Sequence, residues 1–156
     1  MKPSNPTLGV IYGNRDFFPD HLITEARADL AKVFAQLGIK AIQLSEQDSK
    51  LGGVETHAEA RKCATLFRQH ADEVDGVLVC LPNFGDEKGV ADTLKLSKLN
   101  VPVLVQGYPD DLQKMDVARR RDAYFSRLAT MSKSKVWPPA SAVTFIGISS
   151  PFTVPV

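Results

Sequence analysis

The stretch Asp75-Gly76-Val77-Leu78-Val79-Cys80-Leu81 decides the fold, because five apolar residues follow a turn-forming dipeptide without a polar interruption. Such a continuous apolar run is typical of a strand that helices cover on both faces, as in a parallel sheet. A polar loop, residues 82–87, follows it at once. We therefore predict that residues 77–81 form the central strand of an α/β sheet.

Further strands and helices alternate on both sides of this run. The first helix is the clearest, since apolar residues recur at helical spacing after Pro19 and stop at Gly38. Asp86 stands where it can N-cap the third helix. The predicted strands cover residues 8–12, 39–44, 77–81 and 101–105, and the predicted helices cover about 20–37, 60–74 and 87–99.

This alternation indicates the fold class. Strands that alternate with helices need right-handed crossovers, which make the sheet parallel and place helices on its faces. We predict a flavodoxin-like or Rossmann-like three-layer sandwich with the strand order 2-1-3-4. The domain is expected to span residues 1–133, with one more helix over about 110–133. Residues 134–156 contain four prolines and no clear apolar period, so we expect an irregular tail there.

The composition disfavours several classes of partner. The chain has 19 basic and 18 acidic residues, and a net charge of +1 creates no field that attracts nucleic acid or an anionic membrane. It contains two cysteines and no apolar stretch of membrane-spanning length, and we expect no cleavable signal. We expect a cytoplasmic protein that binds neither nucleic acid nor membrane.

A binding site is expected at one edge of the sheet. Ligands of an open parallel sheet bind beyond the carboxyl ends of the strands, where loops converge and helix N-termini point outward. At this edge Asn14, Arg15 and Asn83 can hydrogen-bond a polyol, while Phe84 and Tyr108 offer apolar faces. We predict substrate binding by Asn14, Arg15, Asn83 and Phe84. The loops concerned are residues 13–18, 45–55, 82–87 and 106–111.

Each of these residues also has a purely structural explanation. Arg15 can pair on the surface with Asp16 or Asp20, as exposed charges commonly do. Asn14 can be present only because it tolerates a turn, and Phe84 can be an ordinary rim aromatic. The prediction of a site therefore rests on the meeting of several loops at one edge.

Familiar sites of this fold do not match the loops. Residues 13–18 lack the G-x-G-x-x-G pattern of a dinucleotide site and are too bulky and acidic for the phosphate of FMN. A phosphoacceptor domain needs an aspartate after the central strand, where Pro82 and Asn83 stand instead. The histidines lack metal-binding spacing, so we predict no metal site formed by this chain alone. Cys63 and Cys80 are expected to be buried thiols.

Four motifs at the loop edge carry a resemblance to a known family. They are Gly13-Asn14-Arg15-Asp16-Phe17-Phe18-Pro19, Leu51-Gly52-Gly53-Val54-Glu55-Thr56, Leu81-Pro82-Asn83-Phe84-Gly85-Asp86-Glu87 and Asn100-Val101-Pro102-Val103-Leu104-Val105-Gln106. In this order they resemble the N-terminal domain of the L-fucose/L-arabinose isomerase-like family, from about residue 7 to residue 122.

The resemblance implies an aldose–ketose isomerase of carbohydrate metabolism that assembles as a homo-oligomer and acts on a monosaccharide. Its Mn²⁺ is held by carboxylates and a histidine of later domains, so the resemblance implies no cofactor and no catalytic residue in this chain. Metal and carboxylate together move a proton through an ene-diol. The first domain shapes the substrate pocket and the oligomer interface, reaching a neighbouring subunit's active site with an arginine and an aromatic residue. By position these correspond to Arg15 and to Phe84 with Asn83.

The ending of the chain departs from the family. After Asp122 a Ser-, Lys- and Pro-rich ending follows in place of further domains, which favours a truncated or frame-shifted reading frame. Such a chain is expected to be inactive alone. The alternative is a stand-alone small-molecule or protein-interaction module of flavodoxin-like fold.

Overall fold

The computed structural model describes residues 5–108 and 143–147, and these residues form one sheet with three helices. The strands are β1 (Thr7–Gly13), β2 (Lys40–Gln43), β3 (Gly53–Val54), β4 (Gly76–Leu81), β5 (Val103–Gly107) and β6 (Val143–Gly147). The helices are α1 (His21–Leu37), α2 (His57–Gln69) and α3 (Glu87–Ser97). None of the helices in this described part is both long and apolar enough to cross a bilayer.

The described sheet is parallel throughout and has the order β2-β1-β4-β5-β6. The two-residue strand β3 pairs with Tyr12 and Gly13, the last two residues of β1, whereas β2 pairs with the first part of β1. The predicted third and fourth strands are β4 and β5, so the predicted order 2-1-3-4 and the flavodoxin-like sandwich are confirmed.

Strand β4 lies at the centre, as its apolar run predicts. Val77 and Val79 belong to the core cluster under α2 and α3, whereas Leu78 and Cys80 belong to the cluster under α1. All four side chains are buried. Burial on both faces explains why the strand tolerates no polar residue, since a polar group there would lose its hydration.

The helices follow their apolar periods. The buried residues of α1 recur at intervals of three or four positions and end with Phe34. Gly38 closes the helix in a left-handed conformation, with φ of 69°, and its N–H donates to the Phe34 carbonyl. Helix α2 begins with a capping box, in which Thr56 and Glu59 each accept a hydrogen bond from the other's backbone N–H.

Strand β5 begins two residues later than predicted. Pro102 has no N–H to give to a ladder, and its carbonyl instead accepts the Val77 N–H at 2.9 Å. The ladder therefore starts at Val103, which is paired with Val77.

Two strands were not predicted. Strand β3 is two residues long and lies inside a loop, where no periodicity can form. Strand β6 lies inside residues 134–156, for which we expected an irregular tail. Its short β-prone run stands alone among prolines and offers no repeat by which to recognise it. The helix expected over about 110–133, the boundary at 133 and the rest of the tail lie outside the described residues.

Candidate functional site

Three loops meet at the carboxyl edge of the sheet. They follow β1, β3 and β4, and both β3 and β4 are direct neighbours of β1. Since parallel strands end at the same edge, the first residues after these strands come together. These residues are Asn14 after β1, Glu55 after β3, and Pro82 with Asn83 after β4.

Asn14 is the centre of this meeting point. Its side chain is fully buried, and its amide donates to Asp20 Oδ1 at 2.9 Å and to the Glu55 carboxylate. The amide oxygen accepts a hydrogen bond from the Asn83 side chain. The backbone N–H donates to the Val54 carbonyl at 3.2 Å. Every donor of Asn14 is therefore used within the chain.

Asn83 fixes the loop after β4. It is only 1% exposed, and its side-chain oxygen accepts the Gly85 N–H at 3.0 Å. Gly85 has a φ of 68°, and a Cβ atom there would lie 2.7 Å from Leu81 Cδ2. The left-handed backbone conformation thus favours glycine, and any larger residue would also have to displace the Leu81 side chain.

Lys50 brings a positive charge to the two carboxylates. Its ammonium lies 2.8 Å from Asp20 Oδ2, and this contact raises the pKa of Lys50. Burial raises the pKa of Asp20, but hydrogen bonds from Lys50 and Asn14 outweigh it and leave the pKa below its ordinary value. Burial also raises the pKa of Glu55, and there Lys50 and Asn14 compensate only in part. The carboxylates differ because Glu55 is the more deeply buried and because Lys50 contacts only Asp20 directly.

Arg15 and Phe84 form the outward part of the site. The Arg15 guanidinium carbon lies over the Phe84 ring, 5.0 Å from its centroid, in a cation–π contact. Phe18 stacks with the same ring at 5.8 Å between centroids. Arg15 also lies 3.9 Å from a Glu87 carboxylate oxygen, and its side chain is 35% exposed. The structural explanation proposed Asp16 or Asp20 as the ion-pair partner of Arg15, and the structure shows Glu87 instead.

Two further loop residues, Asp86 and Tyr108, make contacts within the fold. Asp86 N-caps α3, accepting the Gly89 N–H at 2.6 Å, as its structural explanation predicts. Tyr108 packs against the core cluster under α1, and burial raises the pKa of its phenol. Its hydroxyl is buried.

The structure brings the four predicted residues together in two pairs, Asn14 with Asn83 and Arg15 with Phe84. Sequence reasoning did not single out Glu55, Asp20 or Lys50 as parts of the site. Glu55 follows β3, so recognising that strand would have placed its carboxylate beside Asn14.

The remaining candidates are the two cysteines and a possible metal site. Cys63 and Cys80 are buried free thiols, as predicted. Within residues 5–108 and 143–147, no three His, Cys, Asp or Glu side chains are grouped so that they could hold a metal ion.

The comparisons with known proteins point to one family. No curated protein and no solved structure matches the chain significantly. The sequence profile described as fucose/sulfoquinovose isomerase, N-terminal domain, matches residues 9–132. That range covers most of the chain and contains all three loops of the site, and it confirms the resemblance seen in the motifs. The chain therefore belongs to the fucose/sulfoquinovose isomerase N-terminal domain family.

Proposed function

We propose that the chain acts as the N-terminal domain of a cytoplasmic aldose–ketose sugar isomerase, where its loop edge shapes part of the monosaccharide pocket. One observation carries the proposal: Arg15 and Phe84 lie together at that edge, 5.0 Å apart from guanidinium carbon to ring centroid. Both residues fall within the range that matches the family.

The chemistry of the pair suits a sugar. A monosaccharide has hydroxyl groups around its rim and patches of C–H groups on its faces. A guanidinium presents its donors in a fixed fork and can hydrogen-bond two neighbouring hydroxyls, which the point charge of a lysine does less well. The half-buried Phe84 ring offers apolar surface to the C–H groups.

The pair is suited to complete a pocket that other residues build. It supplies hydrogen bonds and apolar surface, whereas Mn²⁺ prefers carboxylate ligands, which neither member of the pair has. We assign the metal and the proton-transferring base to other parts of a full-length isomerase. We also propose a homo-oligomer, in which the edge containing Arg15 faces the active site of a neighbouring copy.

Grafting this domain onto a full-length relative tests the proposal. Arg15→Ala is expected to lower kcat/KM for the sugar by about tenfold or more, because a hydrogen bond to a charged group contributes ~1.5–3 kcal/mol. The melting temperature should hardly change, since the side chain is partly exposed and its ion pair is long.

Lys32→Ala is the matched control, because Lys32 is an exposed base that pairs with Asp29 within α1. This variant should keep both kcat/KM and the melting temperature. Unchanged kinetics for Arg15→Ala would overturn the pocket assignment and favour an interaction module. A large fall in its melting temperature would show that Arg15 is a structural residue.

A further inference from the structure

At two places in the site a buried asparagine is followed in sequence by a more exposed residue. Asn14 is fully buried and Asn83 is 1% exposed, whereas the side chain of Arg15, the next residue after Asn14, is 35% exposed. Phe84, the next residue after Asn83, is likewise less buried than its neighbour. Each buried asparagine thus precedes one member of the Arg15–Phe84 pair.

The hydrogen bonds of Asn14 leave it no capacity to donate to a ligand. Its two amide hydrogens are given to Asp20 and Glu55, and its oxygen accepts from Asn83. A sugar hydroxyl could accept from Asn14 only by displacing a partly buried carboxylate, which would then lose this hydrogen bond. The amide is therefore better suited to hold the loops than to contact a substrate.

These bonds reach the starts of all three described helices. Asp20 directly precedes α1, Glu55 lies one residue before the N-cap of α2, and the loop containing Asn83 and Gly85 leads to the N-cap of α3. One buried side chain consequently connects three loops that are far apart in sequence.

We propose that Asn14 is a positioning residue, whose buried amide joins the three loops so that Arg15 lies over the Phe84 ring. An amide is needed because the position must donate to two carboxylates and accept from another amide. The inference rests on the proposed function only for what the Arg15–Phe84 pair binds. The positioning itself concerns this chain alone.

The test is a spectroscopic signature measured on the full chain. A proton that lies over an aromatic ring is shifted upfield, so the Arg15 side-chain N–H resonance in a ¹H–¹⁵N spectrum reports the contact with Phe84. Phe84→Leu calibrates the signal, because it removes the ring. Asn14→Leu and Asn14→Asp are both expected to remove most of that shift. Asn14→Asp additionally places a third carboxylate beside Asp20 and Glu55.

Asn83→Ser provides a second, milder variant in case Asn14 variants do not fold. A serine hydroxyl can still accept the Gly85 N–H but is too short to reach Asn14. The bonds from Asn14 to Asp20 and Glu55 remain in this variant. We expect it, too, to lose most of the Arg15 shift.

Thr93→Val is the matched control for a general loss of stability. Thr93 is fully buried in α3, and its hydroxyl donates to the Gly89 carbonyl at 2.8 Å, a bond within the helix that involves none of Asn14, Asn83, Arg15 and Phe84. This variant should lose stability and retain the Arg15 shift. The proposal is overturned if folded Asn14→Leu or Asn83→Ser keeps the shift, or if Thr93→Val loses it equally.

Kinetics of the grafted isomerase separate this inference from the proposed function. If Asn14 acts only through the Arg15–Phe84 pair, adding Asn14→Leu to a variant that carries both Arg15→Ala and Phe84→Leu should cause no further fall in kcat/KM. A multiplicative further loss would overturn the positioning role. If Arg15→Ala itself leaves kcat/KM unchanged, the proposed function fails, and the upfield shift alone decides the positioning of Arg15.

Discussion

At the scale of single residues, two carboxylates that accept from the same amide have pKa values shifted in opposite directions. Asp20 and Glu55 both accept from Asn14, yet the pKa of Asp20 is lowered and that of Glu55 is raised. Two causes produce the difference: Glu55 is the more deeply buried of the two, and the Lys50 ammonium contacts Asp20 directly. Ionised Glu55 is therefore an unfavourable charge in the folded protein at neutral pH.

Glu55→Gln should stabilise the fold at neutral pH. The glutamine keeps an oxygen for the Asn14 amide and removes the partly buried charge. Since burial raises the folded pKa of Glu55 above its unfolded value, the wild-type penalty is present at neutral pH and fades as pH falls through that folded pKa. The melting temperature of the variant should be higher than that of the wild type at pH 7 and equal to it at acidic pH.

Glu46→Gln, at an exposed position, is the control for the loss of one acidic group. A melting temperature of Glu55→Gln below the wild type at pH 7 would contradict the prediction. It would mean that attraction to Lys50 exceeds the effect of burial.

Glu73 is expected to show the opposite pH dependence. Hydrogen bonds from Lys40 and His70 lower the pKa of Glu73 to about 2. Its contribution to stability is therefore present above the unfolded value, near 4.5, and is lost as pH falls towards 2. Glu73→Gln should melt below the wild type at pH 7 and level with it near pH 2. Because the group is exposed, high salt should also shrink the difference, and a salt-independent difference would contradict an ionic origin.

The sequence was enough to predict that the site residues lie together, but not which of them are buried and which are exposed. Loops that follow parallel strands must share an edge, so Asn14, Arg15, Asn83 and Phe84 were predicted as one group. Which side chains turn inward depends on how each strand ends, and the hydrogen bonds that bury Asn14 involve a carboxylate placed by β3. A two-residue strand leaves no signal in the sequence.

At the scale of elements, long apolar patterns predicted the fold and short ones did not. The run of β4 and the period of α1 gave the sheet centre and the first helix, because burial on a whole face constrains many residues at once. The start of β5 depends on one missing N–H at Pro102, and β6 depends on pairing with β5. Such local and long-range hydrogen bonds leave little trace in hydrophobic periodicity.

The contact between β1 and α2 depends on a glycine. A Cβ atom at Gly9 would lie 2.9 Å from Phe67 Cζ, and the Phe67 ring is fully buried. Gly9→Ala is therefore expected to destabilise the protein by about 1–3 kcal/mol, through overpacking. Urea unfolding followed by circular dichroism measures the change.

Two further variants control this prediction. Gly76→Ala adds the same methyl group to a buried glycine of β4, where the nearest atoms lie 3.4 Å away, and should cost less. Phe67→Leu removes the ring, so Gly9→Ala should cost less in that background than in the wild type. Equal costs in the two backgrounds would show that the ring is not the obstacle.

At the scale of the whole molecule, the sheet order determines what the domain can offer a ligand. With β1 between β3 and β4, the loops with the buried asparagines and Glu55 must meet. The pair that meets solvent at this edge supplies donors and an aromatic ring. A sugar isomerisation also needs a Lewis acid and a base to move a proton.

We therefore predict that the purified chain isomerises no pentose, hexose or deoxysugar, even with Mn²⁺ added. Arg15 is a cation that binds without accepting a proton, and Phe84 has no proton to exchange. Glu55 is a carboxylate of raised pKa, but it already accepts a hydrogen bond from the buried Asn14 amide. Assays of ketose formation should match a control with metal alone. Turnover above that control, abolished by Glu55→Gln but not by Glu46→Gln, would place catalysis within this domain and contradict the division of roles proposed for the isomerase.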